Sequence, residues 1–454
     1  MALHRLAYAK LQAWKEKGNR KPLLLRGARQ VGKTTLVNAF AAEYDHFISL
    51  NLELSRHSGY FASTDDVTTI FSSILLQEGI GPEADETVLL FLDEIQEVPK
   101  AIQLLRYFHE ELPQVHVIAA GSLLEFAIAE VQSFPVGRLE QMALHPMNFE
   151  EFLMAEGNAP LLQAYRDLVY TGYHYTTLMD RYREYVQVGG MPEVVSYYYK
   201  NNKSLVGIAA IFDQIWDSYV DDTLKYGENA TNREVLRYIL GAAPFTLDRL
   251  SFAKFGKSEY QSREVGDAFR KLDLARIIRV IYPTTETALP IIPNMRKRPR
   301  LQFLDTGLLM HINGLQGQIF QFDDLLDFYK GQIVNHTVCQ EHMSTKSAVH
   351  YKPHFWVREK SDANSEVDLA IRRNQQVVPI EVKSGASGRL RSLHQFIDRA
   401  PHAVGVRLLA NELSVEQSKT IAGKPYTLLN LPYFAGAKIE EALDRYIPDD
   451  QLGL

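Results

Sequence analysis

The sequence predicts an α/β protein whose main feature is a parallel sheet covered by helices on both faces. Three observations predict this class. Strand-like apolar segments alternate with helical patterns over the first third of the chain, a glycine-containing loop joins the first of these strands to a helix, and strands return near the carboxyl end after a mainly helical region. Strands that are separated by helices pair in parallel, because each connection crosses one face of the sheet.

Length and composition give a domain count and exclude several classes of protein. The 454 residues suggest about three domains at roughly 150 residues each. The single cysteine, Cys339, excludes a disulfide-stapled secreted scaffold. No apolar run approaches the roughly 18 residues of a bilayer span, and the amino terminus lacks the apolar core of a signal peptide. We therefore expect a soluble, cytoplasmic protein that does not bind membranes.

The amino-terminal third reads as one helix followed by alternating strands and helices. Apolar residues at helical spacing between Leu3 and Trp14 predict an amphipathic first helix. Strands are predicted at residues 22–25, 47–52, 88–92 and 115–120, and helices at residues 33–43, 66–77 and 100–112. This order predicts the parallel sheet.

The pattern changes after Phe149 and becomes mostly helical and rich in tyrosine, until Gly189-Gly190-Met191-Pro192 interrupts it. Residues 246–305 predict two or three helices, a β-type segment at 277–282 and a proline-rich turn region. Between Arg249 and Arg300, twelve basic residues stand against five acidic ones. A helical unit that ends in a basic hairpin resembles a winged helix. The net charge of −6, from 49 basic and 55 acidic residues, therefore does not exclude nucleic acid as a partner.

The carboxy-terminal part combines a long helix with several strands. Helices are predicted at residues 325–343 and 390–399, and strands at residues 354–358, 367–371, 377–382 and 404–409. This order predicts a second α/β unit.

The loop Gly27-Ala28-Arg29-Gln30-Val31-Gly32-Lys33-Thr34 matches the phosphate-binding pattern G-x-x-x-x-G-K-[ST]. A predicted strand precedes it and a helix follows it, which is the context that the pattern requires. We expect Lys33 to reach the β and γ phosphates of ATP and the Thr34 hydroxyl to bind Mg²⁺. Nucleotide contacts are expected from Gly27, Ala28, Arg29, Gln30, Val31, Gly32, Lys33, Thr34 and Thr35.

Two carboxylates, Asp93 and Glu94, end the apolar strand at 88–92. We expect Asp93 to hold the Mg²⁺ shell, and Glu94 to orient or deprotonate the attacking water as the catalytic base. Solvated acids at an ordinary strand end are the alternative interpretation, and the phosphate loop makes it the weaker one.

Two further residues are candidates for nucleotide contacts. Ser122 follows the strand at 115–120, where it would touch the γ phosphate or the water; a helix N-cap is an equal alternative. Arg138 would serve as an arginine finger toward a neighbouring subunit, whereas a lone arginine is more often a surface charge.

These residues resemble a known family. The phosphate loop, Leu92-Asp93-Glu94-Ile95-Gln96, Ala120-Gly121-Ser122, Gly137-Arg138 with residues 146–152, Gly189-Gly190-Met191-Pro192 and Asp305-Thr306-Gly307-Leu308 look like prokaryotic AAA-type P-loop ATPases. Members of that family carry a carboxy-terminal domain of unknown function that is related to PD-(D/E)xK nucleases. The resemblance spans nearly the whole chain and also implies a homo-oligomer.

The sequence patterns and the resemblance together predict a fold of four parts. They are an AAA-type P-loop ATPase core at residues 1–155, a helical lid at 156–240, a winged-helix-like basic unit at 241–315 and a PD-(D/E)xK nuclease-like domain at 325–454.

Carboxylates in the tail are predicted to converge. Because strand side chains alternate, Glu366 and Asp368 share one face of their strand, and Glu381 and Lys383 share the corresponding face of the next. Oxygen ligands of this kind suit Mg²⁺ or Mn²⁺. In the nuclease pattern, Asp368 and Glu381 would bind this second metal, Lys383 would position the attacking water, and Gln395 would occupy the position of a frequent glutamine.

One departure from the nuclease pattern places cleavage in doubt. The family usually has an acid four residues after the glycine that corresponds to Gly331, but Asn335 stands there, and Glu341 lies at least one turn further along. A solvated hairpin face, or a nuclease fold that only binds, is the alternative.

Three functions are compatible with these patterns. The leading hypothesis is an ATPase that acts on or senses DNA through the basic unit and the tail, with Arg296-Lys297-Arg298-Pro299-Arg300 contacting phosphates; a solvated loop is the alternative for this run. The second hypothesis is an ATP-dependent signalling switch whose tail binds another protein. A protein-remodelling ATPase is the weakest, because no aromatic pore loop is evident.

Overall fold

The computed structural model describes residues 3–83, 85–122, 124–130, 134–135, 137–225, 227, 229–246, 248–316, 327–359, 365–386 and 388–448. Within these ranges, none of the helices combines the length and the apolar character that a bilayer crossing requires.

The amino-terminal unit contains a five-stranded parallel sheet with the strand order β2-β3-β4-β1-β5. Alternate residues of β3 enter different apolar clusters: Leu90 and Leu92 face one, Leu89 and Phe91 the other. The sheet is therefore covered on both faces, as predicted. Its strands are β1 (Leu23–Arg26), β2 (His46–Asn51), β3 (Val88–Asp93), β4 (Val115–Gly121) and β5 (Glu140–Ala143). Its helices are α1 (Ala7–Lys15), α2 (Lys33–Phe40), α3 (Ser55–Ser58), α4 (Tyr60–Ser63), α5 (Val67–Glu78), α6 (Pro99–Glu111) and α7 (Leu124–Glu130).

The sequence pattern missed the edge strand β5. Its four residues pair with β1, Leu23 opposite Glu140 and Arg26 opposite Ala143. Four residues are too few to show a strand period, so only the pairing reveals this strand.

Five helices follow the sheet: α8 (Phe149–Glu156), α9 (Ala159–Arg166), α10 (Gly172–Val188), α11 (Pro192–Lys200) and α12 (Ile208–Lys225). Asn148 and Glu151 form a reciprocal capping box that starts α8. Gly189 and Gly190 end α10, and Pro192 occupies the first turn of α11, so the predicted break separates two helices.

The helix α13 (Ala230–Ala242) leads into the basic unit, which contains α14 (Ser262–Leu274) and an antiparallel pair, β6 (Ile278–Ile281) with β7 (Arg300–Phe303). The prediction of two or three helices within 246–305 was wrong, because α13 ends before residue 246 and only α14, with a short 3-10 turn, lies among the described residues of that range. The segment between β6 and β7 packs on the tail: Thr284 donates its backbone N–H to Phe355 O at 2.8 Å.

The tail follows α15 (Thr306–Ile312) and forms a six-stranded mixed sheet with the order β12-β13-β11-β10-β9-β8. Three of its elements, β12 (Ser414–Lys419), β13 (Pro425–Pro432) and α18 (Ile439–Tyr446), were not predicted from the sequence. The tail elements are α16 (Asp327–Ser344), β8 (His354–Val357), β9 (Glu366–Arg373), β10 (Gln376–Val382), α17 (Arg391–Ile397), β11 (Val404–Leu409), β12 (Ser414–Lys419), β13 (Pro425–Pro432) and α18 (Ile439–Tyr446).

A buried polar hub joins the helical region, α15 and α16. The Asp305 carboxylate accepts hydrogen bonds from Gly190 N at 2.6 Å and Leu308 N at 2.9 Å. Glu341 of α16 accepts from Phe149 N at 3.0 Å and from the Tyr185 hydroxyl at 2.7 Å. Glu341 therefore caps a helix of the amino-terminal half and does not stand in for the missing acid of the tail.

Close backbone contact beside this polar hub also requires glycine at residue 190. A Cβ on Gly190 would lie 2.0 Å from Met147 O, and Met147 N donates to Gly190 O at 2.7 Å. The two backbones therefore approach too closely for any side chain at residue 190.

Candidate functional site

The phosphate loop connects β1 to α2 and holds Lys33 in a buried position. The helix begins after Gly32, whose φ of 90° is left-handed and favours glycine. The Lys33 ammonium donates to Gly27 O at 3.1 Å and Ala28 O at 2.9 Å, and the residue is 7% exposed. Burial lowers the pKa of Lys33 to about 8, against the opposing effect of the Glu94 and Asp93 carboxylates. These carbonyls are weaker partners for an ammonium than phosphate oxygens.

The carboxylates after β3 face the start of α2. The Thr34 hydroxyl donates to Asp93 Oδ2 at 2.7 Å. Burial raises the pKa of Asp93, and the hydrogen bond from Thr34 opposes that effect. Glu94 has a left-handed φ of 51°, and its Oε2 accepts from the Gln96 amide at 2.7 Å. The structure thus brings together Lys33, Thr34, Asp93 and Glu94, as the sequence predicted.

Ser122 lies at the carboxyl ends of the parallel strands, whereas Arg138 lies at their amino ends. Gly121 pairs with Arg26, the last residue of β1, so Ser122 lies beside the start of the phosphate loop. Arg138 comes two residues before Glu140, which pairs with the first residue of β1. Its guanidinium contacts Glu110 Oε1 at 2.7 Å. Arg138 is therefore remote from the phosphate loop of its own chain, and any nucleotide contact would have to come from another subunit.

Distant parts of the chain also contact the phosphate loop. Arg5 donates to Val31 O at 2.8 Å and also binds Glu151 at 3.0 Å. Arg29 binds Asp222 of α12. These partners were not found from the sequence, because ion pairs between residues so far apart leave no local pattern.

In the tail, Asp368 and Glu381 come together on neighbouring strands. Leu369 pairs with Ile380, which sets Asp368 beside Glu381. Asp368 Oδ2 accepts from Val382 N at 2.8 Å, and the Lys383 ammonium lies 2.5 Å from Glu381 Oε1. Burial and the nearby Asp368 raise the pKa of Glu381 to about 8. The predicted convergence of these side chains is present, and Gln395 lies on α17 with a buried amide oxygen.

Two arginines of the basic unit cover this carboxylate cluster. Arg249 Nε donates to Glu366 Oε2 at 2.6 Å, and the Arg300 guanidinium binds the same carboxylate and lies 3.4 Å from Asp368 Oδ1. Both guanidiniums lie over the Phe355 ring, at 5.4 and 4.6 Å from its centroid. Arg300, the last residue of the run predicted to contact DNA, therefore already has two carboxylate partners. In that run Arg296 and Arg298 are exposed, while the Lys297 ammonium donates to Glu359 O at 3.0 Å.

The two candidate metal sites differ in how well their residues suit a cation. At the phosphate loop, a hydroxyl and a carboxylate already lie at hydrogen-bond distance, next to a loop that offers backbone N–H groups. In the tail, the Asn335 amide donates to Asp368 Oδ1 at 2.5 Å, where the pattern expects an acid. Among the described residues, no three His, Cys, Asp or Glu side chains are grouped to hold a metal. The phosphate loop thus offers a hydroxyl and a carboxylate that fit Mg²⁺ with a nucleotide, whereas in the tail the Asn335 amide already donates to one oxygen of Asp368.

Comparison with known proteins gives a described family for the amino-terminal unit only. Residues 19–153 match the family model of the AAA domain. The amino-terminal unit is similar to AAA domains and has the fold of a P-loop ATPase. Residues 179–319 and 330–430 match two domains of unknown function, DUF8612 and DUF4143. No curated protein sequence matches the chain.

The solved structures that are similar in part include three from different organisms. The Walker-type ATPase PABY2304 of Pyrococcus abyssi is 15% identical, with a TM-score of 0.45, over 68% of this chain and 96% of that chain. PCH-2 of C. elegans is 18% identical, with a TM-score of 0.21, over 37% and 47% of the two chains. The Aeropyrum pernix ORC1 protein in complex with DNA is 12% identical, with a TM-score of 0.23, over 72% and 96%.

Proposed function

We propose that the amino-terminal unit binds ATP with Mg²⁺ and hydrolyses it. The observation that carries this proposal is the Thr34–Asp93 hydrogen bond of 2.7 Å beside the buried Lys33 ammonium. It places a hydroxyl, a carboxylate and a cation together at the carboxyl edge of a parallel sheet, where the helix amino terminus favours anions.

Each residue has a distinct task in this proposal. Lys33 exchanges the loop carbonyls for the β and γ phosphates, and Thr34 and Asp93 hold Mg²⁺. Glu94 accepts a proton from the attacking water, and the Gln96 amide at 2.7 Å fixes the direction of its carboxylate. Mg²⁺, when bound, supplies positive charge that offsets the charge on the phosphate oxygens.

Phosphate release and nucleotide binding test the proposal together. We expect Lys33→Ala to abolish the binding of a fluorescent ATP analogue. Glu94→Gln should keep that binding and lower the turnover number by a factor of about 100 or more. If Glu94→Gln had the same turnover number as the parent, the role of Glu94 would be contradicted. If Lys33→Ala bound the ATP analogue as tightly as the parent, the site itself would be contradicted.

We further propose that the basic unit contacts DNA phosphates through Arg296 and Arg298. Both residues are exposed on the segment between β6 and β7, and such contacts provide affinity without sequence specificity. Fluorescence anisotropy with a duplex at low salt tests this. Replacing both arginines by alanine should weaken the binding of the duplex. Replacing Lys419, an exposed lysine on β12, by alanine should leave that binding unchanged. Equal effects of the two changes would contradict the proposal.

The alternative is a signalling switch whose tail binds a protein and does not cleave DNA. The two arginines over Glu366 and the Asn335 amide on Asp368 favour this reading of the tail. Incubation of branched and linear DNA with Mn²⁺ separates the two readings. If the parent cleaved DNA and both Asp368→Ala and Lys383→Ala lost that activity, the tail would be a nuclease, and the interpretation as a switch would be contradicted.

We also propose that Arg138 contacts nucleotide across a subunit boundary in a homo-oligomer. Its exposed guanidinium, at the opposite edge of the sheet from the loop, is available to a neighbour. Light scattering with and without ATP gives the oligomeric state. Mixing Arg138→Ala with Lys33→Ala should restore part of the turnover, because some boundaries then hold both intact residues; no restoration in a stable oligomer would contradict the proposal.

A further inference from the structure

The phosphate loop is held by a helix of the neighbouring helical region. Arg29 Nη1 lies 2.7 Å from Asp222 Oδ1 and 2.8 Å from Asp222 Oδ2 on α12. One turn earlier on the same helix, the Tyr219 hydroxyl donates to Arg29 O at 2.7 Å. Residues three apart lie on one face of a helix, so the same face of α12 binds both the backbone and the side chain of Arg29.

The two partners of this ion pair differ in exposure. The Asp222 side chain is 5% exposed, whereas the Arg29 side chain is 45% exposed. Lys225 adds a second cation at 3.4 Å from Asp222. The hydrogen bond with Asp222 is the largest reason why the pKa of Arg29 is raised. Asp222 is therefore buried among neighbouring residues, whereas the side chain of Arg29 faces solvent on one side.

Arg29 also lies within the electrostatic field of the nucleotide site. Its charge lowers the pKa of Lys33, and the Glu94 carboxylate raises that of Arg29. A polyphosphate on the loop would bring several negative charges into the same space. Guanidinium groups bind phosphate in the same bidentate manner as carboxylate, so the nucleotide competes with Asp222 for one cation.

We propose that Arg29 is a nucleotide-binding arginine that Asp222 holds on α12 in the arrangement seen here, and that nucleotide binding exchanges one partner for the other. The proposal rests on the nucleotide site proposed above and adds a regulation of it. Occupancy of the loop releases α12, because the helix loses its ionic grip on the side chain of Arg29. The contact thus couples the nucleotide to the helical region.

Affinity for a fluorescent ATP analogue measures this competition. Asp222→Asn removes the competing charge, so the Kd should fall about three- to tenfold, while Arg29→Ala should raise it about tenfold. In the double variant the Asp222→Asn effect should vanish, because the two residues act on one interaction. Glu156→Gln is the matched control: it removes a carboxylate of similar burial, 11% exposed, from the ion pair with Arg181 of the same region, and should leave the Kd unchanged.

Hydrogen exchange of α12 supplies a readout that a purely structural ion pair would not move. In the parent, the ATP analogue should speed exchange in residues 208–225, and in Arg29→Ala it should have no such effect. A Kd within twofold of the parent for Asp222→Asn, or exchange in α12 that does not respond to nucleotide, would overturn the proposal. Failure of the nucleotide site itself is distinct, because the parent would then bind no better than Lys33→Ala.

Discussion

Buried Lys33 makes nucleotide affinity depend on pH in a range where an ordinary lysine does not titrate. Its pKa of about 8, against 10.5 for an ordinary lysine, results from a side chain that is removed from water among loop carbonyls. We expect the affinity for the ATP analogue to fall as pH rises through 8, because only the protonated amine attracts phosphate.

The magnitude follows from the protonated fraction. With a pKa of about 8, this fraction is about nine-tenths at pH 7 and about one-tenth at pH 9, so the Kd rises about tenfold between them. With an ordinary pKa the rise would be roughly a few per cent. Because the folded pKa of this lysine is lowered, the unfolded chain holds more protons between about pH 8 and 10.5, and the free energy of unfolding from this group rises with pH there.

Titrations of the ATP analogue at pH 7, 8 and 9, with Mg²⁺ and ionic strength held constant, measure the effect. Thr34→Ala is the matched control: it weakens metal binding but keeps Lys33, so its Kd should be higher at every pH with the same slope. Lys33→Ala should show no measurable binding at any of the three pH values. A parent Kd that stays within twofold from pH 7 to 9 would refute the reasoning.

Three further predictions concern the contacts that hold the parts of the chain together. Glu341→Ala should lower the free energy of unfolding by about 1–3 kcal/mol, because Phe149 N loses its buried acceptor; Glu341→Gln should cost less, as measured by urea unfolding. Gly190→Ala should reduce the yield of soluble protein, because its Cβ would lie 2.0 Å from Met147 O. Arg300→Ala should lower the free energy of unfolding by about 3 kcal/mol, since its carboxylate partners lose a half-buried cation. Thermal melting of this variant, compared with that of the exposed control Arg296→Ala, measures the loss of stability.

Specific outcomes would contradict these three expectations. Equal stability of Glu341→Ala and Glu341→Gln would mean that the carboxyl accepts no important hydrogen bond. A soluble, fully stable Gly190→Ala would mean that the two backbones do not approach closely. An Arg300→Ala melting temperature equal to that of Arg296→Ala would mean that the cover on the carboxylates contributes nothing.

Much of the fold was predictable, because most of its elements carry local signals. The phosphate loop was found with its flanking strand and helix, and the strand that ends in Asp93 and Glu94 was placed to within one residue. The edge strands β5 and β12 were missed because pairing with a neighbour, rather than their own pattern, makes them strands. The strand β13 was missed although its residues are buried along almost its whole length.

The sequence by itself determined the chemistry that contiguous residues carry. A phosphate loop needs neighbouring backbone N–H groups, and strand alternation placed Glu366 with Asp368, and Glu381 with Lys383, on shared faces of their strands. Only the tertiary structure decided which distant charges meet: Arg29 with Asp222 across 193 residues, and Arg249 with Glu366 across 117. The physical reason is that a buried charge is stable only where folding supplies its counter-charge. Local periodicity reports which face of an element is buried, but not which charge lies opposite.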